Sequence, residues 1–141
     1  MSSIWGVAPK YLIDSVEILQ RKALRIVFRK DPRCSRKELY TEKILPVALT
    51  CEYHTILLLF KMKHGLCKNN FPFLYMNQVH SHQTRNSANF AIPSHNTVQG
   101  SNNFFIRGPI EFNGLSNSLK SIISLSIFKN RLREYYYETI Q

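Results

Sequence analysis

Apolar residues recur at helical spacing in the first part of the chain. Between Pro9 and about Arg29 they fall alternately four and three positions apart, which is typical of an amphipathic helix. The repeating positions are Leu12, Val16, Leu19, Ala23 and Ile26, and the stripe is widened by Ile13, Leu24 and Val27. We expect this stripe to face the core. The opposite side carries Arg21, Arg25 and Arg29 at four-residue intervals, and it should face solvent or a polyanion.

Local signals predict further helices. Asp31-Pro32 ends the first helix, because a residue before proline disfavours the helical region. Ser35 and Glu38 form a capping box for a short helix to about Lys43. Residues 47–64 are apolar around most of the helical circumference, which predicts a central, buried helix that stops at Gly65.

The middle of the chain has a different pattern from both ends. Residues 68–109 are rich in Asn, Ser, His and Gly and show no helical period. Residues 88–92 and 104–106 have the composition of short strands that could pair, and Gly108-Pro109 should turn the chain. A final helix then repeats Leu125, Phe128, Leu132 and Tyr135. The list of segments predicts a mainly α fold, a small helical domain with a long polar middle segment that could hold a short β-hairpin.

Length and charge limit the number of domains and the kinds of partner that we expect. The 141 residues fit a single domain, with a basic helical part at 1–67, the polar segment at 68–109 and C-terminal helices at 110–141. The longest apolar run, residues 56–60, is far shorter than a membrane-spanning helix. Nineteen bases oppose nine acids, for a net charge of +10, and thirteen of the bases lie in residues 1–68. That distribution favours contact with a polyanion. We expect no membrane partner, because the apolar runs are short.

The sequence excludes two candidate kinds of metal site. Cys51, His54, His64 and Cys67 resemble a zinc pattern, but on one helix the outer two would lie about 24 Å apart, and zinc needs all four ligands around one point. The chain has only two aspartates, Asp14 and Asp31, and neither belongs to a paired-carboxylate motif for two metal ions. We therefore predict no metal, no cofactor and no catalytic residue.

The predicted phosphate contacts follow from the basic pattern itself. They are Arg21, Lys22, Arg25, Arg29, Arg36 and Lys37, together with Thr84 and Arg85 from the polar segment. Lysine and arginine neutralise phosphates with release of counterions, so binding should be salt-dependent and largely independent of sequence. The alternative for the arginine stripe is a solvated helix face, and for Arg85 it is a structural hydrogen bond.

Several segments, in order, resemble the C-terminal region of reverse transcriptases encoded by non-LTR (LINE-type) retrotransposons. They are Ile4-Trp5-Gly6; Gln20-Arg21-Lys22-Ala23-Leu24-Arg25-Ile26; Leu39-Tyr40 with Lys43-Ile44-Leu45-Pro46; the helix from Tyr53 to His64; His80 with Thr84-Arg85-Asn86; Gly108-Pro109 with Phe112-Asn113-Gly114-Leu115; and Phe128-Lys129-x-x-Leu132 with Tyr135. Phe112 and Ser116 depart from the tryptophan and proline usual in that family.

The resemblance implies a fragment of an RNA-directed DNA polymerase that follows the catalytic palm and holds RNA or DNA. The family's Tyr/Phe-x-Asp-Asp motif is absent, so this chain alone should not polymerise. An intracellular location, in the nucleus or in a cytoplasmic ribonucleoprotein, is also implied. Two alternatives stay open: a helical protein-interaction domain that docks onto the remainder of the polymerase, and a non-functional degenerate copy.

Overall fold

A long apolar helix runs through the middle of the fold. The computed structural model describes residues 8–40, 44–68, 73–79 and 87–140, and these ranges are mainly helical. In chain order the helices are α1 (Lys10–Val27), α2 (Arg36–Leu39), α3 (Val47–Lys63), α4 (Met76–Val79), α5 (Val98–Ser101), α6 (Phe104–Asn113), α7 (Asn117–Lys120) and α8 (Leu125–Ile140). The predicted small helical domain is confirmed.

Helix α3 is central because the other long helices pack around it. Helices α1, α6 and α8 all contact α3, while α2 contacts α1 and α7 contacts α8. The helix ends as predicted, with Gly65 in the left-handed region at φ 66°. The Leu66 N–H then donates to the carbonyl oxygen of Lys61 at 2.8 Å, which closes the last turn.

The main core draws on all three predicted parts of the chain. Phe60 of α3 stacks on Phe128 of α8 with ring centroids 4.0 Å apart, and both side chains are fully buried. Phe90 from the polar segment packs against Phe112 of α6. A smaller second cluster, built on Leu24, Leu39 and Tyr40, lies between α1 and α2.

Two predictions for the middle segment are wrong. Residues 104–106 form no strand; they begin α6, because the Asn103 side chain accepts the Phe105 N–H at 3.0 Å and caps a helix there. Gly108 and Pro109 lie inside α6 and are buried, so they do not turn the chain. The only bridge within the described residues pairs Tyr75 with Phe90, antiparallel and isolated.

Helix α1 is rotated about its axis relative to the prediction, so that Ile13 and Leu24, which only widened the predicted stripe, face the protein. The repeating positions expected in the core are exposed, whereas Leu24 and Glu17 are buried and Ile13 and Gln20 are half-buried. The reason lies in polar contacts that the periodicity does not reveal. Glu17 pairs with Arg36, and Gln20 bonds to the start of α3, so this side of the helix faces the protein.

None of the helices in the described ranges has both the length and the apolar character that crossing a bilayer requires.

Candidate nucleic-acid interface

The densest positive charge lies where α1 gives way to α2. Residues 21–38 contain eight bases and two acids. We call residues 21–37 the basic end. Its exposed basic side chains are Lys22, Arg29, Lys30, Arg33, Arg36 and Lys37. These side chains lie on α1, on α2 and on the turn between them, and the two helices contact each other.

A tight turn holds the middle of the basic end. Arg29 adopts φ 50°, the left-handed region, directly after α1 ends. The Lys30 N–H donates to the Arg25 carbonyl at 2.9 Å, and the Asp31 carboxylate accepts the Arg33 N–H at 2.7 Å. These local bonds fix the backbone, so three cationic side chains leave one turn and reach solvent.

Arg21 and Arg25 are placed differently from the other predicted contacts. Both are half-buried. Arg25 donates through Nη2 to the Cys34 carbonyl oxygen at 3.4 Å, and its Nε is buried without a hydrogen-bond partner among the described residues. Arg25 therefore ties the turn to α1, and the surface stripe predicted from the four-residue spacing is replaced by a cluster at the helix end.

Arg36 forms an ion pair with α1 and also adds to the exposed positive charge. Its Nη2 lies 2.7 Å from a carboxylate oxygen of Glu17, whose side chain is nearly buried, while the Arg36 side chain itself is largely exposed. The Ser35 hydroxyl accepts the Glu38 N–H at 3.3 Å, which confirms the predicted cap of α2. The cap and the ion pair together fix how α2 presents its basic residues.

The acids near the basic end are engaged locally. The Cys34 thiol donates to Glu38 at 3.1 Å. This bond lowers the pKa of Glu38 and raises the pKa of Cys34. Asp31 holds the turn as described. The two carboxylates therefore reduce the positive potential of this surface without cancelling it.

Two predicted contacts lie outside the described residues, namely Thr84 and Arg85. Two exposed bases of the basic end, Lys30 and Arg33, were not in the predicted set. The signal that could have found them was the Asp31-Pro32-Arg33 sequence, since aspartate and proline favour a turn whose other side chains point outward.

A second cationic feature lies at the far end of α3. Lys63 and Lys120 line a polar cavity of about 370 Å³ together with Asn89, Asn117 and Ser121. The Lys120 ammonium donates to the Asn113 carbonyl at 2.5 Å and to Asn89 at 3.2 Å. Burial lowers the pKa of both lysines, and the charge of Lys120 lowers that of Lys63 further. Sequence reasoning gave no indication of this pair, because its members are 57 positions apart in the chain.

Paired carboxylates do occur, but in a closed cluster. Arg107 Nη2 lies 3.6 Å from Glu52, and Arg107 Nε pairs with Glu111. The Tyr136 hydroxyl hydrogen-bonds to Glu52, and burial raises the pKa of both glutamates. With one arginine between the two carboxylates, this cluster joins α3, α6 and α8 rather than forming an open site.

Metal binding finds no support in the described ranges, where no three His, Cys, Asp or Glu side chains converge. Cys51 is buried on α3 and Cys67 follows Gly65 beyond the end of that helix. The arrangement of the basic end suits a polyanion, whose charges repeat along a chain.

Comparison with protein-family models, with curated proteins and with solved structures finds no match to this chain.

Proposed function

We propose that this chain is a segment of a non-LTR retrotransposon reverse transcriptase, from the region after the palm, and that its basic end binds the phosphate backbone of RNA or DNA. The resemblance of the ordered motifs supports the first part of this proposal. The cluster of exposed cations around the Arg29 turn supports the second.

The observation that carries the proposal is the exposure of six basic side chains on α1, on α2 and on the turn between them. A backbone-fixed turn presents Arg29, Lys30 and Arg33, and the neighbouring helix ends add the rest. Ordering long side chains costs conformational entropy, so a fixed backbone reduces what must be ordered on binding. Such a surface contacts phosphates and does not read base edges.

The expected binding is strongly salt-dependent. With about five phosphate contacts, affinity should fall roughly 10²- to 10³-fold between about 50 and 200 mM salt. Fluorescence anisotropy with a labelled single-stranded RNA and a DNA duplex measures this slope. No detectable binding to either at the lower salt contradicts the proposal.

A charge-matched pair of variants locates the interface. Lys22→Gln, Arg29→Asn and Lys30→Gln together remove three exposed charges, and asparagine tolerates the left-handed backbone at position 29. Lys68→Gln, Arg131→Gln and Arg133→Gln remove three exposed charges from other parts of the fold. Only the first triple should lower the slope of log affinity against log salt by about 2–3. Equal losses in both triples would mean that net charge, and not the basic end, attracts nucleic acid.

A further inference from the structure

Helix α1 exposes an apolar face to solvent. Seven large apolar side chains of this helix are exposed, and Leu19 and Ile26 reach 63% and 78% exposure. We call the outward positions Leu12, Val16, Leu19, Ala23 and Ile26 the apolar seam. Single exposed apolar residues are normal, but a row that runs from Leu12 to Ile26 on a helix of 18 residues marks an interaction surface.

A groove runs beside the apolar seam. It lies between α1 and α3, has a volume of about 590 Å³, and is lined almost wholly by apolar atoms. Leu12 and Val16 of the seam form one side, Val47 forms the other, and Cys51 is buried within it. Seam and groove form one surface, since they share side chains.

The spacing of the seam specifies the shape of its occupant. Four-three spacing is that of the a and d positions of a heptad repeat, and such a row packs against another helix. The 18 residues of α1 are about 27 Å long. An occupying helix of similar length would rest on the seam and fill the groove with its apolar side chains.

The charges beside the seam specify the chemistry of that helix. Lys22 lies three positions after Leu19 and four before Ile26, so it borders both on the helix surface. Lys10 lies at the start of the helix, and Arg29 follows its end. Asp14 is two positions from Leu12 and from Val16, which places it on another side. None of the described residues that line the groove carries a charge.

The geometry points to a docking site for an acidic amphipathic helix of a protein partner, with leucine-like residues on the seam and groove and with glutamate or aspartate facing Lys22 and the two ends of α1. A second copy of this chain fits less well, because it would bring the same positive flanks and a net charge of +10 against each other. The inference does not rest on nucleic-acid binding, although Lys22 and Arg29 border the seam and also belong to the basic end.

A designed peptide tests the inference. The probe has about 21 residues in three heptads, with leucine at a and d and glutamate at e and g, and a second peptide carries lysine at e and g. Titration calorimetry should detect binding of the full chain to the acidic peptide alone. Circular dichroism should show the peptide gaining helix on binding. No binding of the acidic peptide, or equal binding of both peptides, overturns the inference.

A matched pair of variants separates the seam from general charge attraction. Ile26→Asp with Leu19→Asp should weaken peptide binding at least about tenfold. Ile123→Asp with Val98→Asp, at positions that are 79% and 80% exposed, adds the same two negative charges elsewhere and should leave peptide binding unchanged. Both positions of the seam variant are exposed, so it should unfold at the parent temperature. Equal weakening by both variants overturns the inference.

Other occupants give distinct results, and each overturns the inference. Sedimentation of a dimer that the seam variant dissociates would identify a second copy. Seam-dependent cosedimentation with phosphatidylcholine–phosphatidylserine vesicles at about 7:3 would identify a lipid surface. Peptide binding only after removal of residues 1–7 would identify the chain's own N-terminal residues.

Discussion

Gln20 of α1 caps the first turn of α3 through Val47. Its Oε1 accepts the Val47 N–H at 3.1 Å, although the two residues are 27 positions apart. Pro46, at the N-cap position, offers no side-chain oxygen for this role. The same oxygen accepts the Tyr40 hydroxyl, and Nε2 donates to the Leu45 carbonyl at 2.9 Å. One half-buried amide therefore joins α1, α2 and α3.

Replacing Gln20 with alanine should destabilise the fold. Three hydrogen bonds at about 1 kcal/mol each would be lost, so we expect about 2–3 kcal/mol less free energy of unfolding. Urea denaturation followed by circular dichroism measures this change. Asn130→Ala, on an exposed position of α8, is the control and should change stability by less than about 0.5 kcal/mol. A similar loss in both variants would exclude a capping role.

Replacing Arg36 should lower the free energy of unfolding, because Glu17 would then be buried without its partner. Arg36→Ala leaves a nearly buried carboxylate without its 2.7 Å partner, and we expect a loss of about 1–3 kcal/mol. In a Glu17→Gln background no buried charge remains, so the same arginine substitution should cost far less. A double-mutant cycle of unfolding free energies measures the coupling. Additive losses would show that the pair does not interact in solution.

The helices predicted correctly are those with strong local signals. Helix α3 is apolar all round, begins after Pro46 and ends at Gly65, and each signal acts within a few residues. The cap of α2 by Ser35 and the burial of Phe128 and Leu132 in α8 are confirmed for the same reason. Tyr135 was placed on the buried side of α8, but Tyr136 is buried instead.

The orientation of α1 could not be predicted from its period. Periodicity identifies an apolar stripe but does not say whether the stripe meets this chain or another one. The residues that decide the matter, Glu17 and Gln20, act through partners 19 to 27 positions away. A polar side chain on a helix looks solvent-exposed until its distant partner is known.

The sequence predicted most of the basic residues of the candidate interface but not where their side chains lie. A regular stripe of arginines was expected along α1, yet Arg25 is tied to Cys34 and the exposed charges gather at the following turn. The left-handed backbone of Arg29 is uncommon for a residue other than glycine, and no sequence pattern indicated it.

Gly65 should be sensitive to any side chain. Its φ of 66° disfavours residues with a Cβ, and a Cβ there would meet no atom within 4 Å, so the cost is one of backbone conformation alone. We expect Gly65→Ala to lose about 1–2 kcal/mol, and Gly65→Asn to lose less because asparagine tolerates this region. Thermal unfolding measures both. Equal stability of the alanine variant and the parent would place position 65 outside the left-handed region.

The buried cluster around Arg107 should make stability depend on pH. Burial raises the pKa of Glu111 above its usual range, even though Arg107 acts in the opposite direction. The folded state then holds the Glu111 proton more tightly than the unfolded state does. The stability that Glu111 contributes is fully present below its pKa in the unfolded chain. It is lost as the pH rises through its pKa in the folded protein.

The Glu111→Gln variant should not lose this stability as the pH rises. Glutamine resembles the protonated acid, so the difference in unfolding free energy between variant and parent should move in favour of the variant as the pH rises from about 4 to 7. Glu52, whose pKa is also raised by burial, and the histidines His54 and His64, whose pKa values are lowered, titrate in both proteins and largely cancel in the difference. Urea denaturation at several pH values measures the trend.

Glu134→Gln, at an exposed carboxylate paired with exposed Arg131, controls for the loss of one negative charge. A difference for Glu111→Gln that stays constant with pH, or that moves towards the parent, would mean that the carboxyl is well solvated in the folded protein.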